Sequence, residues 1–146
     1  MIAWTGRWRA AVDKALNYLA LARKGGLVEL GEEPVGAAAR AGKAYLMIVA
    51  SDAGDHTWRR AKSFAAGTAQ QCVRVKFTKD ELGMAIGRTS LAMAAFTDAA
   101  MALAFVKALE NPQADVLEAL EDKVKRLKSR RQEAKAHQRN VRKGKK

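Results

Sequence analysis

Lys123, Lys125, Arg126, Lys128, Arg130, Arg131, Lys135, Arg139, Arg142, Lys143, Lys145 and Lys146 place twelve of the chain's 27 basic residues after position 122, where Glu133 is the sole acid. The first 122 residues therefore hold 15 basic and 14 acidic side chains, a net charge of +1 against +12 for the whole chain. Crowded Lys and Arg bind the phosphates of a polyanion and release its condensed counterions, which gives affinity independent of sequence. This chemistry favours nucleic acid as the partner. A tail that only keeps the protein soluble is the alternative.

Other chemistry is sparse. Of two histidines, His137 lies in the basic segment, which leaves His56 as the one general-base candidate in the body. Cys72 falls within an alternating apolar segment, where thiols are structural; a reactive thiolate needs an electropositive, accessible setting. Asp52, Asp55 and His56 are close in sequence, but acids at a turn are usually caps, and no His or Cys set has zinc spacing. Gly25, Gly26 and Gly31 match neither a phosphate-binding loop nor a dinucleotide fingerprint. The expectation is a non-catalytic protein with no cofactor and no metal.

A chain of 146 residues, 49% apolar, supports one core. Once the basic extension is set aside, roughly 110 residues remain for a single domain. The reading is a domain over 1–110 and a basic helix with tail over 111–146. The apolar run 99–106 is too short to cross a membrane, and the N-terminus carries no signal-peptide core. With a lone cysteine, this predicts a cytoplasmic protein without membrane contact.

The elements follow from periodicity. Trp4, Trp8, Val12, Leu16 and Leu19 predict a first helix ending at Gly25-Gly26. A short strand over 27–30 precedes a second helix opened by Pro34 and ended by Gly42. The apolar run 45–50 predicts a central strand covered on both faces. Asp55 or Thr57 is expected to cap a third helix that turns Trp58, Ala61, Phe64 and Ala65 inward. Residues 72–77 alternate, as in a strand with one wet face or at an edge. Thr78 and Glu81 match a capping box for a fourth helix. A loop over 87–90, a buried strand over 91–96 and a fifth helix capped by Asp98 complete a three-layer α/β/α sandwich. After Asn111-Pro112, Leu117, Leu120, Val124 and Leu127 predict an amphipathic helix over 115–131, and the composition of 132–146 predicts disorder without a partner.

Two segments, Gly31-Glu-Glu-Pro-Val-Gly-Ala-Ala-Ala-Arg-Ala-Gly42 with the strand ending Ala50-Ser-Asp52, and Lys79-Asp-Glu-Leu-Gly-Met-Ala-Ile-Gly87, resemble the kink-turn-binding ribosomal protein superfamily, specifically its bacterial YlxQ-like branch. The resemblance covers roughly residues 10–109. It implies a four-stranded mixed sheet and an RNA-binding edge, made here by Gly31, Glu32, Glu33 and Pro34 with Gly87, Arg88, Thr89, Ser90 and Leu91. The partner it implies is structured RNA, ribosomal RNA or the ribosome. The chain departs from the family's best kink-turn binders at Pro34, which cannot supply a carboxylate to a guanine, and at Ala37, where a phosphate-binding cation is missing. A second reading is a protein-interaction module that uses the Leu117 to Leu127 stripe, with RNA recognition lost.

Overall fold

The computed structural model describes residues 13–144, with side chains through Asn140; Trp4, Trp8, Val12, Lys145 and Lys146 lie outside the described residues. Helix α1 (Lys14–Lys24) is capped by the Asp13 carboxylate, which accepts from the Ala15 and Leu16 amides, and it turns Ala15, Leu16, Leu19 and Ala22 inward. There follow β1 (Val28–Leu30), α2 (Glu32–Arg40), β2 (Leu46–Val49), α3 (Asp55–Ala65), β3 (Gln71–Arg74), α4 (Lys79–Ala85), β4 (Met93–Phe96), α5 (Ala99–Lys107) and α6 (Ala114–Gly144).

The strands form one mixed sheet in the order β1-β4-β2-β3, with β4 antiparallel to both its neighbours and β2 parallel to β3. Both inner strands are buried at every position, as strands with uninterrupted apolar runs are when helices cover both faces. At the β3 edge, Val73, Val75 and Phe77 are buried while Arg74 and Lys76 are exposed. Helices α2 and α3 cover one face; α1, α4, α5 and α6 lie on the other, giving the three-layer sandwich.

Two helix starts differ from expectation. Helix α2 begins at Glu32, two residues ahead of Pro34, with Gly31 as its N-cap at φ 95° and ψ 162°, a conformation essentially reserved for glycine. Pro34 then sits in the first turn, where no intrahelical partner is lost. Gly54, rather than Asp55 or Thr57, caps α3, and Asp55 becomes the first helical residue, near the positive end of the helix dipole. Thr78 and Glu81 do form the capping box, and Asp98 caps α5.

The largest difference lies at the C-terminal end. Instead of stopping near Arg131 before a disordered tail, α6 continues to Gly144. Gln, Glu, Ala, Lys and Arg are good helix formers, and no Gly or Pro interrupts 114–143. Tertiary contacts at the other end supply the nucleus: Val116 is 3% and Leu120 2% exposed, and both join the core of the sandwich. An extension from a nucleated helix needs only propagation. The core thus continues past Asn111-Pro112, and the stripe expected as a partner surface is turned largely onto the chain's own body.

Candidate nucleic-acid interface

Sheet topology brings the two family-implied segments together. Leu30 pairs with Ala94 and Val49 with Met93, so β1 and β2 both end where β4 begins, and β3, parallel to β2, ends there too. Four junctions, 31–34, 50–54, 75–78 and 87–92, meet at this pole. Backbone hydrogen bonds stitch them: Gly31 N–H donates to Met93 O at 2.9 Å, Ala50 N–H to Ala92 O at 3.0 Å, and Ser51 N–H to Phe77 O at 2.8 Å. Asp52 Oδ1 accepts from the Lys79 amide at 2.8 Å, tying the second junction to the start of α4. The Asp52 carboxylate is therefore a turn and cap group.

Glycines allow the close approaches. A Cβ on Gly83 would stand 2.6 Å from Ser90 N and 2.7 Å from Ser90 Cα, so the backbones of α4 and the 87–90 loop touch. The Arg88 amide donates to Gly83 O at 2.8 Å, and Gly87 turns the chain at φ 76°. The two glycines of Glu81-Leu-Gly-Met-Ala-Ile-Gly87 are thereby explained: one seats the loop and the other reverses it.

Glu32, Glu33, Pro34, Gly87, Arg88, Thr89 and Ser90 are exposed around this pole and Gly31 is half-buried. Leu91 differs. It is 4% exposed, its amide donates to Lys79 O at 2.9 Å, and its side chain anchors the loop in the core rather than facing a ligand. Glu33, Pro34 and Ala37 all face solvent along the start of α2, so the departures from the family pattern fall on exposed surface.

Two features here escaped the sequence reading. Arg60 Nε lies 2.7 Å from Glu32 Oε1, and the guanidinium stacks 5.4 Å from the Phe64 ring centroid. Both partners of this pair are about half-exposed, so solvent screens it to roughly 0.2 to 1 kcal/mol; its main effect is to orient Glu32. The second is Gly36, where a Cβ would meet Phe64 Cζ at 2.9 Å, which lets α2 and α3 lie close. Arg88 has no carboxylate partner among the described residues. The pole carries mixed charge, and its chemistry is that of the Glu32 and Glu33 amides at the start of α2, which no side chain caps, beside a small-residue loop.

Most of the C-terminal cations lie elsewhere. Lys123 Nζ sits 5.7 Å over the Tyr45 ring, while Lys125, Arg126, Lys128, Arg130, Arg131, Lys135 and Arg139 are exposed along α6. Arg142 and Lys143 belong to the helix, beyond the described side chains.

Cys72 is half-buried, and burial pushes its thiol from the ordinary 9.0 up to about 11, against a smaller lowering by Lys62. Between pH 9 and 11 the unfolded chain releases this proton and the folded chain keeps it, so stability present below pH 9 declines through that window. The stability difference between the native chain and Cys72→Ala is expected to move against the native chain over that range in urea unfolding. A pH-independent difference would contradict it.

No protein-family model and no curated protein matches the chain. Solved structures do. A protein of unknown function from Bacillus halodurans superposes with a TM-score of 0.63 at 27% identity, over 68% of this chain and 99% of that one. The Giardia lamblia 15.5kD RNA binding protein superposes with a TM-score of 0.57 at 18% identity, over 77% and 90%. The fold is thus one that an RNA-binding protein uses, and about a third of this chain lies outside the match to the Bacillus protein.

Proposed function

We propose that this chain is a non-catalytic RNA-binding protein that docks on structured, kink-turn-like RNA in the cytoplasm, with ribosomal RNA or the ribosome as the partner class. The observation that carries the reading is the convergence of 31–34 and 87–90 at one pole, with the second loop seated on α4 by the Gly83–Ser90 backbone contact. A helix start with free amides offers donors to phosphate, and a loop of small residues allows splayed bases to approach. The resemblance to kink-turn binders and the fold shared with the Giardia protein support the same reading. The cations of α6 add contacts to RNA backbone, which carry affinity without base readout.

Arg88→Ala tests the loop. It removes one charge-assisted hydrogen bond, so affinity for a kink-turn hairpin RNA is expected to fall about tenfold with the fold intact. Unchanged affinity by fluorescence anisotropy would remove the 87–90 loop from the interface.

A further inference from the structure

Helix α6 begins at the pole that carries the 31–34 and 87–90 loops and leaves the body at the other. The segment after α5 lies beside the end of β3, where Leu109, Glu110 and Asn111 share a cleft with Arg74, Val75 and Lys76, and this places the start of α6. Further along, Leu120 and Lys123 line a cleft with Gly42, Tyr45 and Gln71, where β2 and β3 begin. Leu127 and Arg131 then lie beside Asp98 and Ala99, where α5 begins. From Lys128 to Asn140 every residue is exposed. At 1.5 Å per residue, Lys135 stands about 30 Å along the axis from Ala114, and Gly144 about 20 Å beyond Arg131.

One face of this helix changes character along its length. Leu117, Leu120, Val124 and Leu127 repeat at three-and-four spacing and meet the body; Lys128 and Arg131 continue that spacing at its margin, exposed beside Asp98 and Ala100, and Lys135 and Arg139 carry it further along the exposed helix. Residues so spaced share a face, whereas Glu133, Ala134, Ala136 and His137 fall on other sides. The result is a single cationic strip about 16 Å long, with steps of about 6 Å between residues four apart. It lacks the apolar face that a membrane-surface helix requires.

We infer that this strip is a second RNA-contacting surface, which binds the phosphate backbone of a segment other than the one held at the loop pole, so that the protein bridges two RNA segments. The inference rests on the RNA-binding reading above. Its warrant is distance: at physiological salt a charge acts over about 8 Å, well short of the roughly 21 Å along α6 from Ala114 to Lys128, where the strip begins. Cations so placed cannot strengthen the contact at the loops. They hold RNA that the loops do not reach.

The test mixes the full chain at physiological salt with a donor-labelled kink-turn hairpin RNA and an acceptor-labelled plain RNA duplex. Energy transfer between the two RNAs, dependent on protein and lost in Lys128→Gln/Arg131→Gln/Lys135→Gln/Arg139→Gln while the hairpin remains bound, is the expected result. Circular dichroism establishes that the variant keeps its helix. Displacement of one RNA by the other without energy transfer would overturn the bridging and leave RNA binding standing. If neither RNA binds, the RNA-binding reading fails and the bridging fails with it.

Discussion

Leu120→Ala is expected to destabilise the fold by about 2 to 5 kcal/mol, read as a lower urea midpoint at unchanged slope. Leu120 is 2% exposed and belongs to the same buried cluster as Leu46, Phe96 and Phe105. Truncating it removes apolar contact and leaves space that the strands and α5 can fill only in part. If α6 were an appendage without structural connection to the sandwich, the same change would stay within the roughly 0.5 kcal/mol typical of surface substitutions. The experiment thus also decides whether the helix has a fixed direction relative to the sheet, on which the separation of the cationic strip from the loop pole depends.

Gly83→Ala has the second large effect. Its new Cβ would meet backbone atoms, Ser90 N at 2.6 Å and Thr89 C at 2.9 Å, which cannot rotate away as a side chain end would. The expected cost is about 1 to 3 kcal/mol, as for other overpacked sites, together with displacement of the 87–90 loop and weaker hairpin RNA binding. Met84→Ala, one residue along on the exposed face of α4, provides the control and is expected to change neither quantity. Native stability and native RNA affinity in Gly83→Ala would mean that the loop is not seated on α4 as described.

These residues show which parts of the molecule are legible in the sequence. The strands at 46–49 and 93–96, the capping box at Thr78 and Glu81 and the Asp98 cap are all encoded in side chains close in sequence, and local pattern locates them. Gly31 as the cap of α2 is harder to see, because Pro34 is the stronger local signal although the helix has already begun. The Glu32–Arg60 pair joins residues far apart in the chain and has no local signature. Leu91 reads equally well as the end of a loop or the start of a strand; its burial goes with the bond from its amide to Lys79 O, a contact between residues twelve apart that local pattern does not show. The length of α6 is misjudged from composition because low hydrophobicity argues for disorder, whereas a helix already nucleated by Val116 and Leu120 propagates through residues of good helix propensity. Family resemblance brings 31–34 and 87–91 into one edge, and the register of β4 against β1 and β2 is the physical reason they meet.

On the proposed function, the loop pole reads RNA shape. The most direct measurement is the affinity of Lys128→Gln/Arg131→Gln/Lys135→Gln/Arg139→Gln for a kink-turn RNA against a plain duplex of equal length at physiological salt. With four of the twelve C-terminal cations neutralised, nonspecific backbone attraction to both RNAs is weakened alike, and a preference set by the loop pole stands out more clearly. A preference for the kink-turn RNA of tenfold or more, on the order of 1.4 kcal/mol, is the predicted result. Equal affinities would contradict it.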